Sequence, residues 1–159
     1  MNERVRAAWA ALADVPDPEL PALNLCELGI VRDVRECGGE LEVVLTPTYS
    51  GCPATEFIQS SVREALARAG LAGVAVRQQL APAWTSDWIS AEGRRKLLAY
   101  GIAPPGPAGD VIHIRPRALA CPHCGSAHTE RLSAFGSTAC KALHRCLDCR
   151  EPFEHFKPI

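Results

Sequence analysis

The sequence predicts a small two-layer α/β domain followed by a C-terminal β zinc ribbon. Helix-spaced and strand-alternating apolar patterns interleave along the first part of the chain. Proline and glycine then dominate a short stretch whose composition is typical of a semi-rigid linker. Two Cys-x2-Cys pairs follow, in a segment too short for a large apolar core. We therefore expect an α/β domain at 1–102, a linker at 103–110 and the ribbon at 111–159.

Composition excludes several classes of protein. The 159 residues are 47% hydrophobic and 22% charged, which is ordinary for a globular chain with a real core. A net charge of -1 argues against a nucleic-acid binder with a broad basic field. No stretch approaches the roughly 20 apolar residues that span a bilayer, and the N-terminus lacks a signal-peptide core. We expect a cytoplasmic protein with no membrane partner.

The first elements follow from local patterns. Apolar residues at helical spacing predict a helix over residues 3–13, with Asn2 as its cap. An apolar cluster over residues 20–29, which includes Cys26, should pack as a turn against the core. Residues 30–36 and 40–46 flank a Gly-Gly pair and predict a β-hairpin. Cys37 lies beside that turn, and we expect it to be exposed and without a role.

Cys52 lies where the second strand should end and the second helix should begin. Pro53 suits the first helical position, and the periodic pattern then continues to Ala69, with Gly70 as the C-terminal cap. The helix would bury one face, at Ala54, Phe57, Ile58, Ser61, Val62, Ala65, Leu66 and Ala69. Cys52 would then be the N-cap, with its sulfur facing free amides that favour a thiolate. A small buried hydrophobic role is the equally open alternative.

Two acidic residues lie in a proline-restrained segment before the hairpin. Pro16 and Pro18 limit the backbone and hold the carboxylates of Asp17 and Glu19 close together. By themselves they are also compatible with two solvated loop acids. Further on, residues 73–80 predict a third strand, and a third helix should run from the Thr85-Ser-Asp cap to about Tyr100. Trp84 and Trp88 beside that cap are expected to serve in core or lid packing.

The cysteine spacing in the last third predicts a metal site. Cys121 and Cys124 form one Cys-x2-Cys knuckle, and Cys146 and Cys149 form the other. Four thiolates with no open position are typical of structural zinc, whereas iron in the same cage is the alternative. Three strands, at 128–135, 141–145 and 151–156, should form the ribbon, with Phe153 and Phe156 covering the site.

Cys140 is a spare thiol once the two knuckles fill the tetrahedron. Lys141 beside it could favour its thiolate form, and a strand cysteine covered by the ribbon is an equally good interpretation. The five histidines have no spacing that demands a second metal.

Taken together, the motifs resemble the metal-sulfur cluster assembly family that includes the SufT and PaaD proteins. The resemblance rests on four stretches in order: Asp17–Glu19, Leu28–Val31, Thr46–Pro53 and Pro82–Trp88. The added ribbon with its Phe135–Leu143 motif looks like that of the PaaD members, which are encoded with the ring-1,2-phenylacetyl-CoA epoxidase. The resemblance implies that Asp17, Glu19 and Cys52 correspond to an acidic loop and a reactive cysteine. It also implies that Cys140 corresponds to the ribbon's extra motif cysteine.

That resemblance implies an accessory protein for metal-centre maturation, with the reductase or oxygenase components of the epoxidase as recipients. Cys52 could hold iron or a cluster transiently, but a cluster generally wants four ligands. A second chain, the recipient or Cys140 would have to complete the site, so a homodimer is conceivable. The alternatives are a thiol-dependent enzyme using Cys52 and a ribbon that only binds proteins. The sequence near Cys52 offers no histidine base, so we do not expect an enzyme.

Overall fold

The computed structural model describes residues 2–109 and 118–159, which fall into two units. The first unit contains the residues up to Trp84 together with Trp88–Ser90, and the second contains Thr85–Asp87 and the residues from Ala91 onward. The predicted first domain extended to residue 102, whereas residues 91–102 belong to the second unit. The expected end of the linker at residue 110 and start of the ribbon at residue 111 lie outside the described residues.

The first unit is a three-stranded sheet with two helices. Its elements are α1 (Glu3–Leu12), β1 (Val31–Cys37), β2 (Glu40–Leu45), α2 (Thr55–Arg68) and β3 (Ala75–Gln78). The sheet order is β1-β2-β3, with β1 and β2 antiparallel and β2 and β3 parallel. A parallel pair needs a crossover, and α2 provides it. Both helices bury apolar faces, so the predicted α/β class is confirmed.

The N-terminal helix and the hairpin form as the sequence predicts. The Asn2 side chain accepts a hydrogen bond from the Val5 amide at 2.8 Å and caps α1. In the hairpin turn, Gly38 and Gly39 have φ of 61° and 85°, the left-handed conformation that a tight two-residue turn requires. Cys37 beside the turn is exposed.

The segment between α1 and β1 is held by its own hydrogen bonds. Asn24 and Glu27 bond reciprocally to each other's backbone amides, at 2.8 and 3.0 Å, in the pattern of a capping box. Its leucines are buried: Leu20, Leu23, Leu25 and Leu28. Cys26 was expected in the core but is only half-buried. Burial, with a smaller contribution from Glu27, raises the pKa of its thiol to about 11.

The second unit joins one helix to a four-stranded sheet. Its elements are α3 (Ala91–Ala99), β4 (Ile102–Ala103), β5 (Thr129–Ser133), β6 (Lys141–Cys146) and β7 (Pro152–Phe156). The sheet order is β4-β7-β6-β5, with β4 parallel to β7 and the other pairs antiparallel. The three predicted ribbon strands are confirmed. No helix in the described part of the chain is long and apolar enough to cross a bilayer.

One prediction about this unit is wrong. The third helix begins at Ala91 rather than at Thr85, after a short 3-10 turn at Ser86–Trp88. The polar side chains expected to cap it bond elsewhere: the Thr85 hydroxyl donates to the Ile159 carbonyl, and the Asp87 carboxylate accepts from the Ala108 amide. The predicted linker also begins with a residue of β4, because Ala103 is paired and buried in the ribbon sheet.

Candidate functional site

Four cysteine sulfurs converge at the end of the ribbon. The Sγ atoms of Cys121 and Cys149 lie 3.8 Å apart, and those of Cys124 and Cys146 lie 3.6 Å apart. All four sulfurs lie within 4.8 Å of one another. A zinc ion bound tetrahedrally at about 2.3 Å from each sulfur requires sulfur separations of about 3.8 Å. The residues therefore fit zinc, with no coordination position left over for a substrate.

Backbone amides in each knuckle point at the sulfurs. The His123 amide lies 3.4 Å from the Cys121 sulfur, in hydrogen-bonding geometry. In the other knuckle, the amides of Cys149 and Asp148 donate to the Cys146 sulfur and lower the pKa of its thiol. Because metals bind the thiolate, these amides favour the state that coordinates zinc.

A polar network links the two knuckles outside the sulfur cage. The Ser126 hydroxyl donates to the Asp148 carboxylate, and His128 Nδ1 lies 3.2 Å from its other oxygen. The Ser126 hydrogen bond, followed by the one from His128, lowers the pKa of Asp148. Inside, Cys121 and Cys146 are buried beside Phe153. The predicted covering role of Phe153 thus agrees with its position, and Phe156 is fully buried.

Cys52 lies in the loop between β2 and α2, but not at a helix N-cap. The helix begins at Thr55, its cap residue is Ala54, and no side chain caps it. The Cys52 amide bonds to the Tyr49 carbonyl at 3.3 Å. The Cys52 carbonyl accepts from both the Thr55 hydroxyl, at 2.8 Å, and the Thr55 amide, at 3.3 Å. A separate turn therefore precedes the helix, and the N-cap prediction is wrong.

The burial of Cys52 fits the alternative of a small buried hydrophobic residue, which the sequence left open. Cys52 is only 9% exposed. Phe57, predicted on the buried face of α2, is 61% exposed, while Ile58 and Val62 carry the core contacts. At the start of the loop, the hydroxyl of Thr46 is buried without a hydrogen-bond partner among the described residues. Sequence reasoning missed Thr46 and Thr55, since neither hydroxyl has a spacing that marks it.

The acidic residues lie in one tight turn. Asp17 is 5% exposed, and its Oδ1 accepts hydrogen bonds from the amides of Glu19, at 2.9 Å, and Leu20, at 2.8 Å. Its own amide donates to the Leu23 carbonyl. The interpretation of two solvated loop acids is therefore wrong for Asp17, whose carboxylate organises the turn. Glu19 is half-buried in the same turn.

Cys140 lies in the second unit, just before β6, whereas the other candidate transfer residues belong to the first unit. It is 3% exposed, and its sulfur lies 3.0 Å from the Thr138 hydroxyl. Lys141 beside it pairs with Glu154, with Nζ 2.9 Å from Oε2. The interpretation as a cysteine covered by the ribbon fits this environment.

Two family descriptions match parts of this chain. Residues 6–78 match the model of the iron-sulfur cluster assembly proteins. Residues 110–157 match the PaaD zinc beta ribbon domain. The protein is thus of the iron-sulfur cluster assembly class, and it carries a zinc ribbon after the assembly domain.

A protein of Escherichia coli, assigned as one component of a 1,2-phenylacetyl-CoA epoxidase, is 49% identical over 98% of this chain and 94% of its own. The chain therefore belongs to the PaaD family. An iron-sulfur protein maturation auxiliary factor of Porphyromonas gingivalis is 34% identical over 54% of this chain and 83% of its own.

Two solved structures resemble the chain over about three fifths of its length. A DUF59 domain of unknown function from Bacillus anthracis has a TM-score of 0.55 and 27% identity, covering 59% of this chain and 91% of that one. A conserved hypothetical protein from Thermotoga maritima has a TM-score of 0.50 and 30% identity, covering 61% and 94%. These likenesses support the α/β fold.

Proposed function

We propose that this chain is an accessory protein that matures a metal centre in a phenylacetyl-CoA epoxidase system, by assembling or delivering iron or an iron-sulfur cluster. The 49% identity to the E. coli protein over 98% of this chain supports a role in the epoxidase system. The match to the iron-sulfur cluster assembly family supports a role in metal-centre maturation. The observation that carries the proposal is the position of Cys52, a single thiol fixed through both its backbone groups between a strand and a helix.

Cys52 would be the transfer ligand. A single thiolate holds iron by one bond, and a cluster generally wants four ligands, so the remaining ligands must come from outside the Cys52 loop. One bond can also be given up readily, as delivery requires. Because Cys52 is 9% exposed, its loop must open or the recipient must insert a group beside it before transfer.

The acidic turn would support this site. Asp17 fixes the backbone of Glu19 and Leu20 with its carboxylate, so we assign it a positioning role. Glu19 is the acid that would assist iron as a hard oxygen ligand. Cys140 can contribute only if the Thr138–Lys141 turn opens, because it is buried beside Thr138.

The zinc ribbon would serve as a folded docking module rather than as the transfer site. Its four thiolates fill a tetrahedron and leave no position for exchange. The recipient would be the oxygenase or the reductase component of the epoxidase. The ligands that Cys52 lacks would come from this recipient or from the second chain of a homodimer. The chain itself would not catalyse the epoxidation.

The test compares metal loading in cells that lack this chain with loading in cells that carry variants of it. The oxygenase and reductase components are purified, and their iron and sulfide are quantified per polypeptide. We expect reduced loading without the chain and with Cys52→Ala. Cys37→Ala is the matched control, since Cys37 is an exposed thiol in the same unit, and it should restore loading.

Two outcomes contradict the proposal. Normal loading of both components in the deletion strain and the Cys52→Ala strain would remove the assembly role. Turnover of a small substrate by the purified chain, lost in Cys52→Ala, would instead establish a thiol-dependent enzyme. Thermal unfolding of Cys52→Ala has to match that of the unsubstituted protein, so that loss of the thiol is separated from loss of the fold.

A further inference from the structure

Helix α3 and strand β4 come before the two Cys-x2-Cys pairs in sequence but belong to the same unit as they do. Ile102 pairs with Glu154 and Ala103 with His155, so β4 is a strand of the ribbon sheet. Ala103 is 1% exposed and lies in one apolar cluster with two of the metal ligands, Cys121 and Cys146. The same apolar cluster that contains these two cysteines therefore includes Ala103 of β4.

The C-terminal end of α3 also contacts a knuckle. Gly101 has φ +83°, and a Cβ built on it would lie 3.1 Å from Cε1 of His123. His123 stands between Cys121 and Cys124, so its place depends on the knuckle that the metal closes. A Cβ at this position would require the ring to shift by a few tenths of an ångström.

Residues 85–87, which come before α3, form hydrogen bonds with Ile159 in the same unit. Ser86 and Ile159 exchange hydrogen bonds: the Ser86 amide donates to the Ile159 carbonyl at 2.9 Å, and the Ile159 amide donates to the Ser86 hydroxyl at 3.1 Å. From α3, the Arg94 guanidinium donates to the carbonyls of Ser86, at 2.8 Å, and Pro105, at 2.6 Å. Both ends of the segment thus depend on contacts within the second unit.

The segment has little to stabilise it alone. The helix has 9 residues and buries only Gly93 and Leu97. Isolated helices shorter than about 12 residues are marginal in water. A small metal-binding unit obtains much of its folding free energy from the metal, because no preformed site exists without it.

We propose that zinc binding to the four cysteines controls the order of Thr85–Asp87, α3 and β4, so that these parts of the second unit fold only in the zinc-bound protein. Metal occupancy is then a conformational switch on a segment that lies in sequence between the assembly domain and the ribbon. Since coupling between two equilibria is reciprocal, loosening the segment also weakens zinc binding.

Hydrogen exchange on the full chain tests the switch. Zinc is removed from the reduced protein with a chelator at neutral pH, and peptide protection is compared with that of the zinc-loaded protein. We expect protection of α3 and β4 to fall by roughly ten-fold or more, together with the ribbon strands, while α2 is unchanged. Unchanged protection of α3 when the ribbon strands lose theirs overturns the proposal. Loss throughout the chain, α2 included, overturns it as well, because no separate zinc-dependent segment would exist.

A matched pair of variants tests the reciprocal effect. Gly70 and Gly101 each follow a helix with positive φ, +77° and +83°, but only Gly101 faces another residue within 4 Å. Zinc affinity is measured by competition with a chromophoric chelator. Gly101→Ala should weaken zinc binding roughly ten-fold or more, and Gly70→Ala should leave it unchanged. Equal affinities in the two variants overturn the coupling.

Discussion

Lys141 and Glu154 form an ion pair inside the ribbon, with Nζ 2.9 Å from Oε2. The lysine side chain is 4% exposed and the glutamate side chain 23%. Glu154 also accepts a hydrogen bond from the Ser137 amide at 2.6 Å, so one carboxylate holds both the buried ammonium and the turn before Cys140.

Removing the charge of Glu154 should destabilise the second unit. Glu154→Gln leaves the Lys141 ammonium buried without its counter-charge, and we expect a loss of about 3 kcal/mol in the free energy of unfolding. The exposed pair of Arg145 and Glu130 supplies the control, since Glu130→Gln should cost less than about 1 kcal/mol. Denaturant unfolding of the zinc-loaded proteins measures both. Equal losses in the two variants would contradict the argument from burial.

The purified protein should hold one zinc ion per chain. Because the four sulfurs lie within 4.8 Å of one another, Cys121→Ala and Cys149→Ala should release the metal and unfold the ribbon. Elemental analysis and circular dichroism check this, with Cys37→Ala as the control that should retain zinc. A fully folded ribbon without metal, or iron in the four-sulfur site, would show the prediction to be wrong.

The parts of the fold that the sequence predicted well are those set by short-range patterns. Gly38 and Gly39 dictate their turn through backbone sterics alone, and the two Cys-x2-Cys pairs place their sulfurs by the geometry of each knuckle. Strand β4 was missed because its two residues pair with β7, far along the chain, and such pairing leaves no local signal.

The candidate site was predicted in part for a similar reason. Pro53 is a valid signal for a helix start, but the Thr55 hydroxyl competes for the Cys52 carbonyl and turns the chain before the helix begins. The sequence did not indicate that Asp17 is buried. Its carboxylate accepts hydrogen bonds from backbone amides, which are present whatever the side chains of those residues are.

Cys52 should react slowly with alkylating reagents in the native state, despite its place on a loop. Its 9% exposure limits access, whereas Cys37 is an exposed thiol in the same unit. With variants that keep only one of these two thiols besides the ribbon cysteines, we expect Cys37 to label at least about ten-fold faster. Thr55→Val should speed labelling of Cys52, and Thr55→Ser should not, because serine keeps the hydroxyl that holds the loop. Fast labelling in the unsubstituted loop would contradict this account.

Acid should destabilise the ribbon partly through His155. Burial, followed by the neighbouring His144, lowers the pKa of His155 to about 4. The unfolded chain therefore binds a proton at this residue near pH 6.5, well before the folded chain does. The stability contribution is present above pH 6.5 and is lost as the pH falls from about 6.5 towards about 4.

His155→Phe should flatten the decline in stability over that range. Zinc release by protonation of the thiolates acts in both proteins, so the difference between their unfolding curves reports His155. Zinc occupancy is measured at each pH to confirm that both are compared in the same metal state. Identical slopes for the two proteins would show that His155 does not contribute.

The two zinc knuckles reach the same backbone conformation with different residues, and this predicts different effects of two substitutions on stability. Gly125 follows Cys124 with φ +77°, and Arg150 follows Cys149 with φ +67°. A side chain in this left-handed region costs about 1 to 2 kcal/mol, and glycine avoids that cost. Nothing lies within 4 Å of a Cβ at Gly125, so Gly125→Ala should destabilise the protein through its φ alone, by about 1 kcal/mol.

Arg150→Gly relieves the same backbone strain, but the added glycine also makes the unfolded chain more flexible. The substitution should therefore leave stability unchanged or raise it by up to about 1 kcal/mol. Gly106→Ala is the control without positive φ or a close neighbour. Thermal unfolding of the zinc-loaded proteins measures all three, and a loss in Arg150→Gly as large as that in Gly125→Ala would mean that side-chain contacts of Arg150 outweigh its backbone strain.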